Sequence, residues 1–229
     1  MLLVIPTRDG DGRANFKILD IHAGGLVWYQ NYLYVADTEN GFRVFDLSRI
    51  IEVSILNQIG FNGNGYGAFE YRYVVPQIGY YSKCAESCCN RFSSASLDRS
   101  TNPPTLLTGY YASGDINGVS YRWSINDDGK LSTQQGVARP TQAIYMGLSN
   151  MQGFFSYQGH YFATQSSSDH DDRLYFGAMN EAVRYIDFGN GIEDLHYSPA
   201  SDRLWSLTEH PSRRVVMGIK LQRALNGCQ

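Results

Sequence analysis

Apolar and aromatic residues occur in short runs along this chain, and polar or glycine-rich segments separate them. Runs rich in Tyr, Val, Phe and Trp recur throughout, bounded by Gly, Asn, Asp and Ser. This pattern is typical of many short β-strands joined by tight turns. Helical periodicity is confined to residues 47–56 and to a terminal turn near residues 221–225. The sequence therefore predicts an all-β fold.

Three stretches of the chain align with one another, at residues 25–47, 153–177 and 194–219. In each, a first strand reaches an aromatic residue and a tight turn, and a second strand, a polar loop and a third strand follow. A partial fourth copy spans residues 105–125. Repeats of about 40–60 residues with three or four strands are typical of propeller blades, whose sheets pack around an axis. The prediction is a β-propeller of four to five blades, and a β-sandwich is the alternative.

The gaps between the repeats contain apolar stretches that fit the outer fourth strands of such blades. They lie at residues 70–75, 143–148 and 182–188. The last repeat has only three strands, so we expect residues 2–5 or 16–21 to supply its fourth strand and close the ring. On this basis residues 1–229 form a single β-propeller domain, with the alternative that part of an N-terminal blade is missing.

Composition narrows the functional classes. Of the 229 residues, 18% are charged and 14% are aromatic, and the formal net charge is −3. Nucleic-acid binding is not expected, because phosphate recognition needs clustered Lys and Arg. The longest apolar runs are about five residues, far short of the roughly 20 that a membrane-spanning helix needs.

The cysteines indicate a compartment. There are four, and three of them share one short segment: Cys84, Cys88, Cys89 and Cys228. The even number favours a disulfide-stapled surface loop in an oxidising compartment. Buried or free thiols and a zinc site are the alternatives, although the spacing of the first three matches no common zinc motif.

Six segments, at residues 22–28, 32–38, 41–46, 96–99, 151–153 and 204–211, carry a resemblance to a known family. They resemble an uncharacterised family of secreted bacterial β-propeller-like proteins. The resemblance implies an extracellular β protein and assigns no activity. Members of that family begin earlier, with a signal peptide and roughly one further blade, whereas the apolar opening of this sequence does not have the features of a signal peptide.

Aligning the repeats brings together the residues that precede each innermost strand and ring one mouth of the axial channel. The aligned positions are Gly24, Gln77, Gln152 and Glu193. Two amides and a carboxylate around a narrow channel fit a polar ligand; alternatively, they satisfy strand ends and bridge blades. The further candidates for ligand contact are His22, Arg43, Glu209 and His210.

A histidine paired with a carboxylate at that mouth would suit a carbohydrate-active hydrolase or lyase. The candidate catalytic residues are His22, Glu193, Asp194 and His210. The sequence contains no serine-nucleophile elbow, metalloprotease helix or phosphate-binding loop. It therefore favours a secreted, monomeric propeller that binds a glycan or a surface ligand at one mouth. The hydrolase or lyase and a purely structural scaffold are the alternatives.

Residues 168–172 are a candidate calcium-binding loop. No other cofactor is expected. The loop includes Asp169, Asp171 and Asp172, and hard cations prefer several oxygen ligands. A run of this kind is more often a solvated turn, so calcium binding is the weaker interpretation.

Overall fold

Antiparallel sheets dominate the fold in a computed structural model, which describes residues 1–83, 91–167, 171–212 and 214–226. Three sheets contain a run of four antiparallel strands, and a fourth sheet contains three. The innermost strands of these sheets meet around a common axis. The chain is therefore an all-β propeller, as predicted, and its described residues form four blades.

The first blade is built from the N-terminal third of the chain. In chain order its strands and their extensions are β1 (Leu2–Arg8), β2 (Ala14–Ile18), β3 (Ala23–Tyr29), β4 (Tyr32–Asp37), β5 (Gly41–Asp46), β6 (Ile51–Glu52), β7 (Ile59–Phe61), β8 (Tyr66–Ala68) and β9 (Tyr73–Ser82). From the axis outward the blade runs β3-β4-β5-β9, and β1 and β2 extend it.

The remaining blades follow in chain order. The second has β10 (Phe92–Asp98), β11 (Thr105–Tyr110), β12 (Val119–Ser124), the small hairpin β13 (Thr133–Gln134) and β14 (Val137–Ala138), and β15 (Gln142–Tyr145). The third has β16 (Met151–Tyr157), β17 (His160–Gln165), β18 (Asp172–Ala178) and β19 (Arg184–Gly189). The fourth has β20 (Ile192–Ser198), β21 (Arg203–Thr208) and β22 (Val216–Lys220), followed by the helix α1 (Leu221–Asn226).

Aromatic and aliphatic side chains fill the space between neighbouring blades. Phe42 of the first blade contacts Phe92 of the second, with ring centroids 5.1 Å apart. Phe154 in β16 packs toward the second blade, and its neighbour Phe155 packs toward the fourth. This follows from the alternation of side chains along a strand, which gives each blade two apolar faces. Radial packing buries both faces of the second and third blades.

Small residues bring the innermost strands close together at the axis. A Cβ atom added to Gly24 of β3 would lie 1.9 Å from the carbonyl oxygen of Phe92 in β10. All four innermost strands also carry a register irregularity near their starts, at residues 23–25, 92–94, 151–153 and 192–195. This shared irregularity supports the interpretation of the four sheets as copies of one module.

The predicted closing strand is wrong. Residues 2–5 and 16–21 were expected to pair with the last blade, but β1 pairs in parallel with β9 of the first blade, and β2 pairs with β1. In this position Val4 is fully buried against Val74. Among the described residues, no strand covers the outer edge of β22. No sheet shared between the first and fourth blades therefore clasps the ring.

Other local predictions have mixed outcomes. All three predicted outer strands are confirmed, because β9, β15 and β19 overlap the expected segments. The helix expected over residues 47–56 is reduced to a 3-10 turn, Leu47–Arg49, which Asp46 caps by accepting hydrogen bonds from Ser48. The terminal helix is confirmed as α1. Within the described ranges, no helix has the length and apolarity that crossing a membrane requires.

Candidate functional site

One end of the propeller carries most of the residues that the sequence analysis singled out. The pairing of Ile192 with Thr208 places the start of β20 beside the loop after β21, and the other blades repeat this arrangement. The polar loops and the starts of the innermost strands therefore share one end. We call this end the acidic mouth, after Asp172, Glu193 and Glu209.

The predicted ring of aligned residues is correct in three blades and wrong in one. Gly24, Gln152 and Glu193 lie at the register irregularities of β3, β16 and β20. The equivalent position of the second blade is Ser93 in β10. Gln77 instead lies in the outer strand β9, opposite Phe45, and its buried Oε1 has no hydrogen-bond partner among the described residues.

The misplacement of Gln77 has a physical cause. The innermost strand β10 reads Phe-Ser-Ser-Ala-Ser-Leu-Asp, which does not have the apolar run expected of a buried strand. All seven of its residues are nevertheless buried, because small side chains are what the crowded axis accommodates. The more apolar β9 fits the pattern expected of an innermost strand, which explains why the alignment of the repeats selects Gln77.

Three carboxylates interact at the acidic mouth. Asp172 is buried and accepts hydrogen bonds from the backbone N–H groups of Ser167 at 2.8 Å and Ile192 at 2.9 Å. Partial burial, followed by repulsion from Glu209 and Asp172, raises the pKa of Glu193 to about 7. Glu193 is thus a carboxyl group that gains a proton near neutral pH.

Replacing Glu193 by glutamine should stabilise the protein at pH 8 and not at pH 4. Below about pH 4.5 the carboxyl is protonated in both the folded and unfolded states. As the pH rises toward 7, the unfolded state loses the proton first, so the stability that the neutral group provides is lost. We expect the melting temperature of Glu193→Gln to exceed that of the wild type by roughly 2–4 °C at pH 8.

Thermal unfolding followed by circular dichroism at both pH values measures this difference. The exposed glutamate Glu181 lies in a turn outside the mouth, so Glu181→Gln serves as the control and should change neither melting temperature. An equal shift at pH 4 and pH 8 would contradict the assignment of the raised pKa to Glu193.

Asp194 joins three innermost strands. Its carboxylate accepts hydrogen bonds from the backbone N–H groups of Leu195 in its own strand, Leu26 in β3 and Ala95 in β10. Burial raises the pKa of Asp194 well above its ordinary value, and the three N–H donors oppose this shift. The contacts make Asp194 a structural tie at the axis rather than a group that faces a substrate.

Each candidate histidine contacts a residue of its own blade. His22 is exposed, and its Nδ1 lies 2.9 Å from the hydroxyl of Thr38. His210 is also exposed and packs beside Gly191. In the described part of the chain, no ion pair joins either imidazole to a carboxylate. The histidine–carboxylate pair of the hydrolase or lyase hypothesis stays a prediction.

Arg43 serves the fold of the first blade. Its guanidinium donates to the buried carboxylate of Asp37 at 2.8 and 3.0 Å. The same guanidinium lies over the ring of Tyr80, 4.0 Å from the centroid. These contacts occupy the side chain that was predicted to bind a ligand.

Some predictions fall on residues outside the described ranges. The four cysteines and Asp169 are among them, so the disulfide loop and a calcium site that includes Asp169 remain predictions. Asp172 contributes to the backbone hydrogen bonds given above. Among the described residues, no group of three or more His, Cys, Asp or Glu side chains is arranged to hold a metal ion.

The opposite end of the propeller has an open cleft of about 700 Å3 between the first and fourth blades. We call it the inter-blade cleft; it is lined by Leu26, Trp28, Tyr29, Gln30, Leu33, Arg99 and His196. Trp28 is 65% exposed and Leu26 is 57% exposed, because no blade within the described ranges covers this face of β3. The indole N–H of Trp28 donates to the carbonyl of Gln30 at 2.6 Å, which fixes the ring.

Two nitrogen-bearing side chains face the apolar wall of the inter-blade cleft. Burial, and then the nearby guanidinium of Arg99, lower the pKa of His196 below its ordinary value. The imidazole is therefore neutral near pH 7 and offers one donor and one acceptor. The cleft therefore combines the indole of Trp28, two leucine side chains, the guanidinium of Arg99 and the neutral imidazole of His196.

Sequence reasoning did not single out Trp28, Arg99 or His196. The sequence does contain an indication of the cleft: Leu26, Val27 and Trp28 are three consecutive large apolar residues, so apolar side chains lie on both faces of β3. Val27 is buried between the first and second blades. The arrangement of the blades exposes the other face, which carries Leu26 and Trp28.

No protein-family model and no curated protein matches this sequence. Among solved structures, the chain is similar to the computationally designed Ika4 protein, with a TM-score of 0.37 and 9% identity over 96% of this chain and 97% of that one. It is also similar to the Dos1 propeller, with a TM-score of 0.39 and 9% identity over 89% of this chain and 56% of that one. The β-propeller fold rests on the radial arrangement of the four sheets described above. Membership of the secreted bacterial family stays a prediction.

Proposed function

We propose that this protein is a carbohydrate-binding β-propeller whose ligand lies in the inter-blade cleft. The observation that carries the proposal is the exposed indole of Trp28, held by its own hydrogen bond in an open cleft beside polar side chains. Aromatic faces stack on the apolar faces of sugar rings, and nearby polar groups supply orientation. The volume of the cleft lies in the range of small-ligand sites.

This proposal moves the site away from the acidic mouth. At that mouth, Arg43 is paired with Asp37, and Asp194 is engaged by backbone N–H groups. The half-buried amide of Gln152 forms no hydrogen bond to a described residue, and it remains a predicted ligand contact there.

The scaffold hypothesis has less support, because a scaffold does not require an exposed tryptophan in a concave site. An extracellular location remains part of the proposal.

Replacing Trp28 by alanine should abolish or strongly weaken carbohydrate binding. Loss of a central aromatic contact typically removes about 2 kcal/mol or more of binding free energy, which corresponds to a loss of affinity of about thirtyfold or more. The measurement is a screen of the wild type on immobilised polysaccharides, followed by calorimetric titration of the oligosaccharide that binds.

Tyr145→Ala is the matched control, because Tyr145 is an aromatic residue that is 60% exposed on the outer strand β15. It should bind as the wild type does. Binding that survives Trp28→Ala would overturn the placement in the inter-blade cleft, and a wild type that binds no carbohydrate would overturn the function.

A further inference from the structure

We infer that the saccharide bound in the inter-blade cleft carries a carboxylate, which Arg99 receives. This inference rests on the proposed function and adds the chemical class of the ligand.

Arg99 differs from the other half-buried arginines of the described chain. Each of the others donates to a carboxylate or a backbone carbonyl: Arg43 to Asp37, Arg122 to Asp98, Arg173 to Asp187 and Arg203 to Gly218. Arg99 has no acceptor among the described residues. A partly buried guanidinium without an acceptor is unfavourable, so an acceptor supplied by a ligand would be strongly favoured.

Among the described residues that line the inter-blade cleft, Arg99 is the one with a charged side chain. The imidazole of His196 is neutral near pH 7, and the lining includes no carboxylate. The carboxylate nearest in sequence, Asp98, is turned away and bonded to Arg122 and Ser156. An anionic ligand therefore meets a cation in a half-apolar site, where electrostatic attraction is screened less than in open water.

Geometry connects the cation with the stacking surface. Trp28 and Arg99 line the same cleft, so a sugar ring stacked on the indole can direct a substituent to the guanidinium. The planar guanidinium matches the two oxygens of a carboxylate in a bidentate pair. A uronic acid unit has both features: a ring with an apolar face and a carboxylate at its edge.

The test compares acidic saccharides with their neutral counterparts. The probes are oligogalacturonate, a mixed mannuronate–guluronate oligomer and a hyaluronan oligomer, each also with its carboxyl groups reduced to alcohols. We expect the wild type to bind at least one acidic form about tenfold or more tightly than its reduced form. Arg99→Gln should remove that preference, whereas Trp28→Ala should weaken binding of both forms.

Arg139→Gln is the control, because Arg139 is exposed, lies outside the cleft and has no acceptor among the described residues. It should retain the wild-type preference, and unchanged melting temperatures verify that both arginine variants are folded. If the reduced forms bind as tightly as the acidic ones, the carboxylate inference is overturned while the proposed function stands. If a sulfated dextran binds as tightly as the acidic saccharides and its binding also depends on Arg99, the site recognises anions in general, and the inference of a carboxylate is overturned. If no probe and no other saccharide binds, both proposals fall.

Discussion

Replacing Asp98 by alanine should lower the free energy of unfolding by about 3 kcal/mol, because it leaves the half-buried guanidinium of Arg122 without its carboxylate partner. Asp98 accepts from Arg122 at 2.8 Å, and Ser156 of the third blade bonds to both side chains. Burial alone would raise the pKa of Asp98, but hydrogen bonds from Ser100, Ser156 and Arg122 outweigh it and hold the pKa below its ordinary value. The network joins the second blade to the third, so its loss should loosen that interface.

Chemical denaturation at neutral pH measures the effect. Asp187→Ala is the matched control, since its 3.4 Å ion pair with Arg173 is exposed and pairs of that kind contribute about 0–1 kcal/mol. Adding Arg122→Met to Asp98→Ala should recover part of the loss, because the unpaired charge is then removed as well. A single variant as stable as the control would show that the network contributes little.

Replacing Gly25 by alanine should also lower the free energy of unfolding by about 3 kcal/mol, because the added methyl group overpacks the axis. The added Cβ atom would lie 2.3 Å from the backbone nitrogen of Ala95 and 2.7 Å from a carboxylate oxygen of Asp194. A methyl group there pushes β3 away from β10 and disturbs the carboxylate that ties three strands together. The neighbouring backbone is fixed by sheet pairing, so the strand cannot yield without breaking contacts.

Gly10→Ala is the control for this glycine. Gly10 lies in an exposed turn, and an added Cβ atom has no neighbour within 4 Å among the described residues. Its denaturation midpoint should stay close to that of the wild type. If Gly25→Ala unfolds at the same denaturant concentration as Gly10→Ala, the close approach at the axis does not limit stability.

Sequence reasoning found most of the blades because they depend on local patterns. The strands around Val35 and Phe162 alternate or run apolar, and Gly, Asn and Asp mark their turns. The repeated spacing then pointed to radial packing, and the structure confirms it. The same reasoning failed for β10, because crowding at the axis selects small polar residues that resemble a loop.

The candidate site was predicted in part. Gly24, Gln152 and Glu193 occupy equivalent positions at one mouth, as the alignment of the repeats indicated. Nothing in the local sequence distinguishes Arg99 from a paired arginine, because pairing depends on residues that are far away in the chain. The inter-blade cleft was missed for that reason.

Strand content, the repeated sheet module and the propeller fold are predictable from the sequence, since each follows from the side-chain periodicity and turn chemistry of short segments. Three features emerge only in the folded chain: β1 joins the first blade, Trp28 and His196 border an open cleft, and Arg99 has no acceptor among the described residues. These outcomes depend on which distant surfaces meet. Contacts of that kind are set by packing across the whole chain, and no local pattern encodes them.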